Sequence, residues 1–262
     1  VTSTLDTTQA RTVRIEGVRT GELASVHSWE LVTAVDGPGT RMTLFLAGCP
    51  LRCLYCHNPD TMQMRMGRTM SFDDVASRVN RYRPVFTATK GGLTISGGEP
   101  LMQPAFVGKL VHWAHERGIH TAIDTSGNLG ANASDQLLSE LDLVLLDVKS
   151  GDEETYQRVT GQRLQPTIDF GERLKKAGVE TWIRFVLVPG LTDSEENINN
   201  VADIISRWSQ VTRVEVLPFH QMGRDKWESL GMRYQLNDVE PPSPEHTEWA
   251  RNIFRERNLV TY

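Results

Sequence analysis

All three cysteines of this 262-residue chain, Cys49, Cys53 and Cys56, fall in the stretch GCPLRCLYCHNPD at residues 48–60. Clustered thiols can ligate metal, attack a substrate or pair as disulfides. Pro50, Arg52, His57, Asn58 and Pro59 interleave them, a loop composition that argues against three small hydrophobes on one helix face. A structural zinc site takes four ligands; there is no fourth cysteine, and His57 adjoins Cys56, an awkward place from which to reach the same ion. Cys53-Leu54-Tyr55-Cys56-His57 also spells the c-type haem attachment pattern, which requires export and leaves Cys49 unused. The arrangement that employs three thiols and only three is a four-iron cluster with one iron lacking a protein ligand, since such clusters otherwise take four cysteines. A small molecule can then chelate the open iron.

Other polar residues cluster in short stretches that end apolar runs: AGCP, SGGEP, DTSG, LDVK and LPFH. The runs, at 42–47, 93–96, 121–124, 143–147, 181–188 and 214–217, read as buried parallel strands. Amphipathic stretches at 71–82, 104–117, 167–177, 194–208 and 244–257 read as helices, with Ser71 as an N-cap, Pro104 at a helix entrance and Gly118 and Gly178 just past helix ends. Strands alternating with helices imply βαβ units, and about six such units suit an open sheet or partial barrel. Ligands of parallel α/β folds bind at the carboxyl ends of the strands, so the five signatures are expected on one rim. There Gly97 and Gly98 let backbone approach a ligand, Glu99 offers a carboxylate to an ammonium group, and Asp124, Thr125, Asp147, Lys149 and His220 are candidates. Arg184, inside a strand, needs a carboxylate or a ligand. Asp36-Gly37-Pro38-Gly39 suits a tight turn.

The composition is 39% hydrophobic and 23% charged with a net charge of −5. That balance leaves no electrostatic footprint for nucleic acid, and no apolar stretch approaches the roughly 20 residues of a membrane span. No secretory leader is evident in VTSTLDTTQARTVR, so a cytoplasmic protein is expected, with thiols kept reduced. Residues 1–21 read as a mobile extension and 22–262 as a single domain.

C-x-x-x-C-x-x-C with Tyr55 before the last cysteine resembles the signature of radical S-adenosylmethionine (SAM) enzymes. VDGPGTR, GCPLRCLYCHNPDT, TISGGEPLMQ, GIHTAIDTSG, LVLLDVKS, WIRFVLVPGLTD and VLPFHQMGRDKW together resemble the pyruvate formate-lyase activating enzymes, over about residues 22–262. The resemblance implies a TIM-like partial (β/α)6 barrel in which Cys49, Cys53 and Cys56 ligate a [4Fe-4S] cluster and SAM chelates the open iron. It implies that Tyr55 and His57 line the cluster and adenine side, that Gly97, Gly98 and Glu99 hold the SAM amino group, and that Asp124, Lys149, Arg184 and His220 contact SAM. Lys149 and Arg184 join the cysteines as its catalytic set. Asp124, Thr125 and Asp147 correspond to a monovalent-cation site for Na+ or K+, and Asp36 to a residue that holds the glycine loop of the protein substrate. The implied partners are pyruvate formate-lyase, a glycyl radical enzyme, and flavodoxin or ferredoxin as electron donor; a monomer is expected. Ser126 and Leu145 depart from the family's usual Asn and Met. With only residues 57–96 between Cys56 and Gly97, the ferredoxin-like insert of some activases has no room.

Overall fold

The computed structural model describes residues 15–262; of the expected extension, residues 1–14 lie outside the described residues. Residues 15–19 are helical, and Glu22 just beyond them pairs with Lys109.

Eight strands form one sheet in the order β3-β1-β2-β4-β5-β6-β7-β8. They are β1 (Leu23–Thr33), β2 (Arg41–Leu46), β3 (Arg68–Ser71), β4 (Gly92–Gly97), β5 (His120–Thr125), β6 (Leu143–Asp147), β7 (Thr181–Leu187) and β8 (Val211–Pro218). From β2 to β8 every pairing is parallel, which is the expected six-stranded arc. Sequence reading missed the antiparallel flank, where β1 pairs with β2 and β3 with β1. The helices are α1 (Phe72–Thr89), α2 (Pro104–His115), α3 (Asp135–Glu140), α4 (Glu153–Thr160), α5 (Gln165–Ala177), α6 (Glu195–Ile205), α7 (Arg224–Ser229) and α8 (Pro244–Arg255). Among the described residues no helix is long and apolar enough to cross a membrane.

Alternation along the strands explains the layers. Ile183, Phe185 and Leu187 of β7 join Val144 and Leu146 of β6 and Leu44 and Leu46 of β2 in the core beneath the helices. Their neighbours point to the concave side, where Ala122, Leu143 and Leu145 pack with Trp182 as a small apolar floor. Side chains cap the helix starts: Ser71, Ser134, Asp152, Ser194 and Ser243 each accept a hydrogen bond from a backbone N–H of the first turn. This satisfies donors that would otherwise be orphaned. Helix α1 runs through Pro84 to Thr89, past the stop expected near Tyr82. Pro84 removes one helical N–H, but Phe86 beyond it is buried in the core and holds the last turns in place.

Beneath the arc lies Arg41, fully buried at 0% exposure. Its guanidinium donates to Thr94 Oγ1 (3.0 Å), to His120 Nδ1 (3.0 Å) and to the Leu93 carbonyl (2.6 Å). Thr94 Oγ1 in turn donates to the Asp36 carbonyl at 2.6 Å. A buried charge thus braces the hairpin between β1 and β2 from below.

Candidate active site

The carboxyl ends of the parallel strands surround a cavity of about 410 Å³. Its wall carries Cys49, Cys53 and Cys56 after β2, Gly97 and Gly98 after β4, Asp124 and Thr125 of β5, Asp147 and Lys149 at β6, Arg184 of β7 and His220 after β8. The expected rim is therefore assembled. Its volume falls in the range of small-molecule sites.

The cysteine loop is fixed by its backbone. Gly48 N–H donates to Thr61 O (2.7 Å), Cys49 N–H to Met62 O (3.0 Å), Arg52 N–H to Thr160 O (2.7 Å) and Leu54 N–H to Val159 O (3.0 Å). Tyr55 is buried with Val159, Phe219, Trp227 and Tyr234, and Trp227 Nε1 donates to the Cys56 carbonyl at 2.9 Å. All three thiols are free. Burial raises the Cys53 and Cys56 pKa values, and burial with the nearby Glu99 carboxylate pushes Cys49 up to about 12. Metal must displace these protons to bind. Among the described residues no three His, Cys, Asp or Glu side chains converge as a single ion requires. A cluster, which takes one thiolate per iron, asks for no such convergence. The fit is supported by two buried polar atoms without partners among the described residues, Tyr55 Oη and His220 Nδ1, both from residues of the cavity wall. The His220 ring stacks on His57 at 4.1 Å between centroids, and burial followed by His220 lowers the His57 pKa.

Against the start of the thiol loop, Gly97 has φ +116°, and a Cβ on Gly98 would collide with the Gly48 carbonyl. Only glycines let these two turns touch. Glu99, expected beside the SAM amino group, is held by protein donors. It is 1% exposed and is absent from the cavity wall. Oε1 accepts from Thr125 Oγ1 (2.6 Å) and Leu101 N–H (3.2 Å), while Oε2 accepts from Ser126 Oγ (2.6 Å) and Ser126 N–H (3.0 Å). Burial raises its pKa, opposed by those donors. Glu99 is a strut between the loops after β4 and β5, and what faces the cavity here is the backbone of Gly97 and Gly98.

Charge in the cavity is paired. Lys149 Nζ lies 2.7 Å from Asp147 Oδ2; burial opposes its charge, yet Asp147, Tyr55 and Cys53 outweigh burial and raise its pKa. Arg184 reaches Glu215 (3.1 Å), Asp124 (3.5 Å) and Asp36 (3.7 Å) and donates to the Val35 carbonyl. Burial pushes Asp124 up to about 6 against the pull of Arg184. Of the residues expected at a cation, Asp124 accepts from Ser96 Oγ at 2.7 Å, Asp147 accepts from Lys149 Nζ, and the Thr125 hydroxyl donates to Glu99. Asp36 accepts from Thr43 Oγ1 at 2.9 Å and, through Arg184, joins the β1–β2 hairpin to the cavity. That hairpin exposes Val32 at 71% and Val35 at 73%. Val32 adopts φ +68°, an outlier for a β-branched residue. Sequence reasoning missed Ser96, Ser126 and Glu215. Glu215 was legible from β8, where it neighbours Arg184 in register; the two serines were not, because their roles depend on contacts between distant loops.

A parallel arc whose first loop presents three unpaired thiols to the turn after the next strand is the architecture of radical SAM enzymes. The profile of the Radical SAM superfamily matches residues 43–202, a superfamily defined by a [4Fe-4S] cluster and SAM. More narrowly, the chain is 42% identical over 234 residues to the pyruvate formate-lyase-activating enzyme of Clostridium pasteurianum, covering 89% of this chain and 98% of the relative. It is 40% identical over 232 residues to that of Staphylococcus aureus (strain USA300), covering 86% and 92%. The chain belongs to this family of activating enzymes within the radical SAM superfamily. Solved structures agree on the fold. A domain of pyruvate-formate lyase-activating enzyme from Bacteroides vulgatus aligns with TM-score 0.55 and 24% identity, covering 66% of this chain and 98% of that one. Streptococcus suis SuiB bound to S-adenosylmethionine aligns with TM-score 0.61 and 17% identity, covering 82% of this chain and 47% of that one.

Proposed function

We propose that this chain activates pyruvate formate-lyase by removing a hydrogen atom from a glycine Cα of that enzyme, generating its glycyl radical. The observation that carries the reading is the single cavity wall on which all three free thiols face Gly97, Gly98, Asp124, Lys149 and Arg184. Cys49, Cys53 and Cys56 hold the cluster. The Gly97 and Gly98 backbone receives the amino group of SAM, Lys149 and Arg184 offer positive charge to its carboxylate, and Asp124 accepts from its hydroxyls. His57 and His220 present stacked rings to the adenine side. When bound, the cluster would supply the single electron for reductive cleavage of SAM, the chemistry that would provide the acceptor of the hydrogen atom.

The remaining work is positional. Glycine lacks a side chain to shield its Cα, and its flanking amides delocalise the unpaired electron. The β1–β2 hairpin, tied to the cavity through Asp36 and Arg184, receives the partner's loop, which closes the site against water. The electron comes from a flavodoxin or ferredoxin. No acid–base group is needed, since hydrogen leaves as an atom.

The test is anaerobic reconstitution with iron and sulfide, then incubation with SAM, dithionite and pyruvate formate-lyase. A glycyl radical signal by electron paramagnetic resonance together with 5′-deoxyadenosine is expected, and Cys53→Ala should lose both. Release of 5′-deoxyadenosine without a radical on pyruvate formate-lyase points to another glycyl radical enzyme as target; no 5′-deoxyadenosine at all points to a non-catalytic electron carrier.

A further inference from the structure

We infer that the outer side of the Cys49–Cys53 turn is the docking face for an acidic one-electron carrier. The inference rests on the proposed reading of the three thiols as cluster ligands. The cavity mouth has to hold SAM and the partner's glycine loop together, closed to water, so the electron must enter through another wall. One such wall is the turn Pro50-Leu51-Arg52, the three residues that separate Cys49 from Cys53. Leu51 faces the cavity, while Arg52, the next residue, is exposed and donates through Nη1 to the Cys49 carbonyl at 2.8 Å.

Two exposed segments flank this turn, and hydrogen bonds fix both against it. On one side Cys49 N–H meets the Met62 carbonyl at 3.0 Å, and Arg65 lies three residues further on, exposed beside Met66. On the other, Arg52 N–H meets the Thr160 carbonyl at 2.7 Å and Gln162 Nε2 donates to the Pro50 carbonyl at 3.0 Å. This places exposed Arg158 and Arg163 alongside. Four arginines therefore surround one turn in a chain whose net charge is −5. Among the described residues Arg163 has a single loose partner, Glu153 at 3.8 Å. Among the described residues Arg52 and Arg65 bond only to carbonyls and an amide oxygen. Arg158, in the last turn of α4, also complements the helix C-terminus, and Arg52 braces its own turn through the Cys49 and Leu51 carbonyls; Arg65 and Arg163 have no such structural reason to gather here. None of the four lines the cavity. A positive face one loop away from two thiols fits a carrier with an acidic rim, whose approach such charges accelerate. The step moves one electron: the carrier is oxidised by one and the cluster is reduced by one.

The experiment reverses Arg65, Arg158 and Arg163 together to Glu and leaves Arg52, which braces the loop, in place. Formation of 5′-deoxyadenosine is timed with photoreduced flavodoxin as donor at low ionic strength, and separately with dithionite. The flavodoxin-driven rate should fall about tenfold, with the dithionite-driven rate unchanged. Arg81→Glu with Arg83→Glu on α1, exposed but away from the thiols, should leave both rates unchanged. The flavodoxin-driven rate of the unmodified protein should also drop with added salt more steeply than that of the triple variant, a comparison that holds even where the variant is partly unfolded. A flavodoxin-driven fall of less than about threefold, equal slowing in the α1 variant, or equal salt slopes would overturn the docking face while leaving the cluster reading intact. No 5′-deoxyadenosine from the unmodified protein with dithionite would overturn both.

Discussion

Glu99→Gln separates a strut from a ligand. The carboxylate receives four donors, two per oxygen. A glutamine can keep its oxygen on the Ser126 pair, but its NH2 must then face Leu101 N–H and the Thr125 hydroxyl. The hydroxyl can turn to accept, although Gly127 N–H already donates to it at 3.0 Å. Leu101 N–H cannot turn and is left buried without a partner, a loss of about 1–3 kcal/mol. The two bonds from Ser126 also lose their charge assistance, roughly another 1 kcal/mol in all, partly offset by relief of the buried charge. The sum is about 2–3 kcal/mol of folding stability. At roughly 2–4 °C per kcal/mol for a chain of this size, that is a drop of about 4–12 °C in Tm. Thermal unfolding of the cluster-free chain, without SAM, measures it. Unchanged unfolding combined with weakened SAM binding in the loaded protein would refute the reasoning, and would restore Glu99 as the direct partner of the ammonium group.

Two further outcomes follow from the same geometry. Asp36→Ala cuts the hairpin's tie to Arg184 and Thr43, and should depress radical formation on the partner protein more than uncoupled 5′-deoxyadenosine release; equal losses would argue against a substrate-loop role. Asp124→Asn should abolish activity while stabilising the cluster-free chain at neutral pH. Burial first among its causes holds the Asp124 pKa at about 6 against an ordinary 3.8, so the folded state keeps a proton that the unfolded state has lost. The stability this group contributes is present below about pH 4 and is lost as pH rises through about 6. The two-unit shift corresponds to about 3 kcal/mol at most, and urea titrations of the two proteins between pH 4 and 8 should converge at the acid end.

The six parallel strands and the rim they build were legible because each is a short apolar run and five of them end in a polar signature, each of which reached the cavity, while β7 was marked instead by Arg184 within its apolar run. The antiparallel flank was not. In β1, Ser28 and Glu30 lie opposite Phe45 and Thr43 of β2, so polar residues interrupt the expected alternation, and β3 is the four-residue RTMS. The short helices α3 and α4 went unread, because they have too few turns to show a period and their caps, Ser134 and Asp152, are also ordinary loop residues. The partners of Glu99 were not legible for a physical reason: its sequence neighbours suggest a ligand-facing turn, but Thr125 and Ser126 come from the next strand's end, and only the fold decides which way a carboxylate points.

Arg41 gives the molecule an acid-labile keystone. Its Nη1 needs the lone pair of His120 Nδ1, which exists only on a neutral imidazole, and burial followed by Arg41 lowers the His120 pKa despite the carboxylates of Asp142 and Glu180. A histidine held below its ordinary 6.5 lends stability above that pH and withdraws it as the medium acidifies. Two cations would then face each other beneath Thr94, and the first part to loosen would be the hairpin resting on it. Mildly acidic buffers should therefore blunt recognition of the target protein before they strip the thiol loop.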